Sequence, residues 1–166
     1  QVIVTKTNLK GHITYANEVF QSISSLTEQE CIGAPHNLIR HPDMPRCIFK
    51  LLWETLQEGR EMFAYIVNRQ QMVIITGSTP ISPQLHYSGK VIGYHSNRRR
   101  SDRQTVRQHI EPLYAKLRAE ERRHESPKQA MVASTQMLRA ELARRGLEYD
   151  EFVCTLGQIN NRILAG

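Results

Sequence analysis

The order of apolar segments along this chain predicts an α+β fold: a five-stranded antiparallel sheet with helices packed on one face, followed by a C-terminal helical extension. Three observations carry that prediction. Five segments read as strands, at Val2–Thr5, His12–Ala16, Glu61–Val67, Met72–Thr79 and Lys90–Ser96. The stretch between the second and third of them carries apolar residues at helical spacing instead. Beyond Ser101 the pattern is helical throughout, so residues 1–100 read as one domain and 101–166 as an extension.

Each element has a local reason. Val2-Ile3-Val4-Thr5 is β-branched and suits a pleated surface. Asn8-Leu9-Lys10-Gly11 is a turn, and His12–Ala16 completes a hairpin. Asn17 stands at the N-cap of a short helix, Glu18–Ile23, with Val19, Phe20 and Ile23 on one side. Thr27 and Glu30 form a capping box that starts a second helix, which ends near Gly33. Ile48, Leu51, Leu52, Thr55 and Leu56 recur at helical spacing over Arg46–Glu58, and Gly59 closes that helix. The third and fourth strands are joined tightly through Asn68–Gln71. Pro80 ends the fourth, Pro83 to Gly89 reads as a polar loop, and Lys90–Ser96 is the last strand.

In the extension, Thr105–Glu125 reads as one helix. Ser126 caps a second, with Pro127 at its first position and Gly146 as its stop. Tyr149–Leu164 is the third. Met131, Thr135, Leu138 and Leu142 form a narrow apolar stripe of the kind that lines helical hairpins and oligomer seams, so a homodimer or higher oligomer is expected.

Composition excludes several classes. Apolar residues make up 40% of the chain and charged ones 23%, enough for a globular core. There is neither an apolar run long enough to cross a bilayer nor a secretory signal pattern, so direct membrane insertion is not expected. Cys31, Cys47 and Cys154 lack paired spacing, which argues against a disulfide framework or a structural zinc and fits a reducing, cytoplasmic setting. The net charge of +6 lies mostly in Arg98-Arg99-Arg100-Ser101-Asp102-Arg103 and the helices beyond. Glu120, Glu121, Glu125 and Glu141 are interleaved there, so the basic residues read as a solvated helix face, not a nucleic-acid surface. GxSxG, phosphate-binding glycine loops and HExxH are all lacking, and no nucleophile is paired with a base, so a catalytic role is not expected.

One segment does not fit a plain loop. Ala34-Pro35-His36-Asn37-Leu38-Ile39-Arg40-His41-Pro42-Asp43-Met44-Pro45 packs three prolines among ionisable groups. The prolines forbid a long helix or a central strand, leaving a stiff, irregular wall dense in hydrogen-bonding groups.

That wall resembles a known pattern. Thr7–Gly11 with Ile13–Asn17, Pro35-His36-Asn37 with Arg40–Pro45, Leu52–Leu56 and Ile92–Ser96 together resemble the flavin-binding PAS domains of bacterial aerotaxis and energy-taxis receptors. Ile110–Tyr114 and Tyr149–Val153 are similar to the ends of a subgroup of short PAS proteins that partner separate transducers. The resemblance implies a PAS fold, FAD between sheet and helices, and a role as redox or oxygen sensor for a chemoreceptor-type transducer. It implies that Arg40, His41 and Asp43 bind the flavin: Arg40 at a pyrophosphate, His41 as a donor to phosphate or ring carbonyl, Asp43 as their organiser or as a helix cap. Trp53 is implied as a ring contact, although a tryptophan on an apolar helix also suits the core. Asn17 and Asn68 match polar positions that face the flavin, and read equally as an N-cap and a turn residue. In such domains a Lys-Asn-Gly turn and a Tyr-Trp pair follow the third strand. Here Asn68-Arg69 runs directly into Gln70-Gln71-Met72-Val73, so both are missing.

Two alternatives remain at this stage. His36, His41 and His95 permit a haem-binding gas sensor, non-covalent because CxxCH is lacking. An empty PAS module serving as a dimerisation or docking adaptor is the other.

Overall fold

The computed structural model describes residues 2–36, 41–67, 74–75, 81–85, 88–100 and 103–163. It is an antiparallel sheet with helices on one face, as the sequence predicts. β1 (Val2–Asn8) and β2 (Ile13–Ala16) form the hairpin, and α1 (Glu18–Ser24) and α2 (Glu28–Cys31) follow it. α3 (Arg46–Gln57) precedes β3 (Tyr65–Ile66), β4 (Ile74–Ile75), β5 (Ile81–Leu85) and β6 (Val91–Arg100). The extension holds α4 (Arg103–Thr105), a π-helical turn (Val106–Ile110), α5 (Glu111–Glu121), α6 (Pro127–Arg145) and α7 (Tyr149–Ile163).

β6 runs through the middle of the sheet, whose order is β2-β1-β6-β4-β3 with β5 also on β6. β4 and β5 occupy the same side of β6, against Arg99–Arg100 and Val91–Ser96 respectively, so the fourth strand position is split in two. The expected loop at Pro83 is therefore a strand. Pro83 pairs opposite Tyr94, and its far side has no strand partner among the described residues, an edge position where a missing N–H costs no ladder bond. The last strand also runs past Ser96 to Arg100. Its basic residues obscured the alternation that carries it on.

The expected caps are formed. Asn17 Oδ1 accepts from the Phe20 N–H at 3.1 Å. Thr27 and Glu30 close their capping box, the Glu30 carboxylate accepting from the Thr27 N–H at 2.8 Å. α3 differs. Pro45 at its N-cap offers no side-chain acceptor, and the carboxylate comes from α5: Glu121 Oε1 accepts from the N–H groups of Arg46 at 2.8 Å and Cys47 at 3.3 Å. The same oxygen accepts from the Ser134 hydroxyl of α6 at 3.0 Å. An anion here also suits the positive end of the helix dipole.

The helix expected over Thr105–Glu125 is interrupted at its start. Pro112 has no N–H and its ring crowds the carbonyl four residues back. The turn ahead of it widens, with the Glu111 N–H bonding the Val106 carbonyl.

The extension packs against α3 and β3. Val106, Ile110, Leu113, Leu117, Leu138, Leu142, Phe152 and Leu156 share one buried cluster with Ile48, Leu52, Leu56 and Ile66. Full burial of each such side chain contributes on the order of 1.5–3 kcal/mol. Leu138 and Leu142, which suggested an oligomer seam, are thus buried within the chain. Polar clasps reinforce the packing. The Tyr114 hydroxyl donates to the Tyr65 carbonyl at 2.6 Å, and Asp150 Oδ1 accepts from the Phe63 N–H at 3.1 Å.

Replacing Glu121 with Ala removes the only acceptor seen at the start of α3 among the described residues. The expected loss is about 1–2 kcal/mol, read as a lower urea midpoint at constant slope. An unchanged midpoint would mean that α3 does not depend on this carboxylate.

Candidate functional site

The site is built on the helix-covered face of β1 and β6. Their register sets Ile3 opposite Arg98, Thr5 opposite Ser96 and Thr7 opposite Tyr94. All six residues are buried. Alternation in a strand puts every second residue on one face, so Tyr94, Ser96 and Arg98 form a stripe flanked by Ile3, Thr5 and Thr7.

One end of the stripe is aromatic. Trp53 of α3 meets Tyr94 edge to face, with centroids 5.5 Å apart and planes at 74°. The far edge of the indole lies on Gly11, where a Cβ would stand 3.0 Å from its ring carbon. Gly11 also has φ +79°, so the turn needs glycine on both counts.

The other end is polar. Arg98 is four residues from Tyr94, about 13 Å at the rise of a strand, and is 1% exposed. Its Nη2 donates to Thr5 Oγ1 at 2.5 Å and to His36 Nε2 at 3.1 Å. The guanidinium carbon sits 5.4 Å from the centre of the Phe20 ring. Burial pulls the guanidinium pKa down to about 10. Burial, and then the charge of Arg98, depress His36 to about 3. His36 is therefore neutral, with its Nε2 lone pair facing Arg98 and its proton on Nδ1.

The described residues of the proline-rich segment are held in two places. The first lies along the hairpin: the Ile13 N–H bonds the Ala34 carbonyl at 2.9 Å, and the His36 N–H bonds the Gly11 carbonyl at 2.9 Å. The second turns at His41, whose N–H bonds the Val67 carbonyl at 3.2 Å. The Asp43 N–H donates to His41 Nδ1 at 3.0 Å, which leaves the ring proton on Nε2 as a donor.

The residues named from sequence are distributed unevenly. Trp53 packs against Tyr94 and Gly11 at one end of the stripe. His41 is half-buried with a donor to offer. Asp43 is exposed and does not cap α3; its carboxylate pairs with Arg118 of α5, tying the wall to the extension. Asn17 is fully engaged in the scaffold: Oδ1 accepts from Val4 and Phe20, and Nδ2 donates to the Val2 carbonyl at 2.9 Å. Arg40, Asn68 and the connection that follows Asn68 lie outside the described residues. Sequence reasoning missed Arg98, which it placed on a solvated basic face. The signal that finds it is the alternation Tyr94, Ser96, Arg98 continued past Ser96.

The buried stripe also contains atoms without partners. Thr7 Oγ1, Ser96 Oγ and Arg98 Nε and Nη1 are buried with no hydrogen bond among the described residues. Buried polar groups are ordinarily satisfied, so an unfilled set on one face fits a bound polar group. An aromatic pair at one end and unfilled donors at the other suit a flat heteroaromatic ligand with a polar edge. They suit haem less well. His41 Nε2 carries the proton, His36 Nε2 faces Arg98, and His95 Nε2 is bonded to Asn97 Oδ1 at 3.1 Å. No described His, Cys, Asp or Glu groups form a metal cluster, and no described helix is long and apolar enough to cross a membrane.

Comparison with known proteins finds likeness both in sequence and in fold. No protein-family model matches the chain. It is 35% identical over 121 residues to the aerotaxis receptor of Escherichia coli (strain K12), covering 70% of this chain and 23% of the receptor. The chain thus spans under a quarter of that relative's length. In structure it is similar to the light-oxygen-voltage domain of a flavin-analogue study, with TM-score 0.55, 14% identity, and 75% of this chain and 90% of that one covered. It is also similar to the light state of the blue-light photoreceptor Aureochrome1 LOV domain, with TM-score 0.54, 10% identity, and 70% and 91% covered. At such identities these structural likenesses concern fold alone.

The depressed pKa of His36 has a consequence for stability. The unfolded chain takes up a proton near pH 6.5, whereas the folded chain resists it to about pH 3. Stability linked to His36 is therefore complete above pH 6.5 and is lost as pH falls toward 3. Urea unfolding between pH 7 and pH 4.5 should show that decline, and His36→Gln should flatten it. An equal slope in both proteins would place the His36 ring in solvent.

Proposed function

Because the chain belongs to the PAS domains of the aerotaxis-receptor type, we propose that it is a redox or oxygen sensor that holds FAD non-covalently and reports to a chemoreceptor-type transducer in the cytoplasm. The observation that carries this reading is the stripe between Trp53 and Arg98, aromatic at one end and lined with unfilled buried donors at the other. A bound flavin supplies a redox-active ring whose charge and hydrogen-bonding pattern differ between its oxidised and reduced forms.

In this reading Trp53 and Tyr94 flank the apolar part of the ligand. Thr7 and Ser96 offer hydroxyls to its polar edge, and His41 offers its Nε2 proton. Arg40 takes the phosphates, as a planar guanidinium suits. Asn17 fixes β1 against α1, and Asn68 is assigned to a polar position facing the ligand.

The route outward follows bonds already described. The wall around His41 is tied to α5 through Asp43 and Arg118. The start of α3, which carries Trp53, is held by Glu121 and through it by Ser134. A change of one hydrogen bond at the ligand is worth about 1 kcal/mol, enough to move a balanced equilibrium roughly fivefold. The extension would then offer the transducer an altered surface.

The purified protein should be yellow, release FAD on denaturation, and bleach with dithionite. Arg40→Ala and His41→Ala should fold, by far-UV circular dichroism, yet carry little flavin. A colourless wild-type protein that takes up no added FAD, or full occupancy in both variants, would defeat the reading and its site respectively.

A further inference from the structure

The interior of this domain holds a cation that no described acidic group answers. Arg98 uses Nη2 on Thr5 and His36, but Nε and Nη1, with three N–H donors between them, are buried and unfilled. Its surroundings are a hydroxyl, a neutral imidazole and the face of Phe20, none of which carries a full negative charge. Burying an unpaired guanidinium is strongly unfavourable, and an apolar residue of similar length would relieve that cost. A purely structural role would be served better by Met. The arrangement makes physical sense if a further group reaches these unfilled atoms and completes them.

The two unfilled hydroxyls sharpen this. Ser96 precedes Arg98 on the same face of β6, and Thr7 lies one register step further along β1. Together the three side chains present hydroxyl and N–H groups in a line from Tyr94 to Phe20. His36, kept neutral, accepts from Arg98 and so holds the guanidinium in place without cancelling its charge.

We propose that Arg98 is a ligand-binding residue, whose free N–H groups donate to an oxygen acceptor bearing negative charge on the bound molecule, with Ser96 and Thr7 completing the same edge. That the molecule is a flavin rests on the reading above; the need for an acceptor does not. Within a flavin nucleotide the acceptor has two sources, the phosphate chain and the carbonyl edge of the ring. The chemistry is shared, and binding distinguishes them.

The test uses the full chain freed of ligand, titrated with riboflavin, FMN, FAD and inorganic pyrophosphate and followed by flavin fluorescence and thermal midpoint. Arg98→Met should melt no lower than wild type in the ligand-free form, and should bind FAD at least tenfold more weakly. Arg98→Lys should recover part of that loss. A loss confined to FMN and FAD identifies the phosphates as the acceptor, and an equal loss for riboflavin identifies the ring edge. Wild-type flavin affinity in Arg98→Met, together with a lower ligand-free midpoint, would overturn the proposal and make Arg98 structural. If the wild type binds no flavin, the flavin reading fails alone. In that case a midpoint raised by pyrophosphate in wild type but not in Arg98→Met keeps Arg98 as an anion anchor, and no rise overturns that too.

Discussion

The pairing of β1 with β6 positions everything that follows. It runs the full length of β1 and places Thr7, Thr5 and Ile3 opposite Tyr94, Ser96 and Arg98. The backbones approach so closely at Gly93 that a Cβ there would lie 2.1 Å from the Thr7 carbonyl oxygen. A shift of one residue would send Arg98 to the outer face with Lys6 and Tyr15, and would bring His95 and Asn97 inside. The buried stripe, the aromatic contact with Trp53 and the bond to His36 all depend on that register.

Burial then turns ordinary residues into a site. An arginine on a surface strand would be unremarked; at 1% exposure, without a described acid beside it, its unfilled N–H groups are costly to bury. The fold tolerates it through Thr5, His36 and Phe20, each of which softens the cost without removing the charge. The extension contributes differently. Glu121 caps a helix it does not belong to, Tyr114 and Asp150 clasp β3 and the chain just ahead of it, and Arg118 holds Asp43. The helices beyond residue 100 therefore touch both α3, which carries Trp53, and the proline-rich segment at Asp43.

Much of this was legible in the sequence, where local chemistry decides the outcome. The Asn8–Gly11 turn, the Asn17 cap, the Thr27–Glu30 box and the Ser126-Pro127 start are each formed by neighbours within a few residues. Elements decided by distant partners were harder to see. Pro83 reads as a loop until β6 is known to lie beside it. Arg98 reads as solvated until β1 is known to lie beside it. Asp43 reads as the cap of α3, and only the position of α5 reveals that Glu121 has taken that place. The proline-rich wall supplies His36 to Arg98, and that buried cation was concealed in the sequence by its own basic neighbours.

The measurement that tests this account most directly is a crystal structure of the ligand-loaded protein, read at one distance. The account predicts an oxygen of the ligand within about 3.2 Å of Arg98 Nε or Nη1, the range of a charge-assisted hydrogen bond. A loaded structure in which Arg98 still bonds only Thr5 and His36, with no ligand atom in reach of either nitrogen, would contradict it.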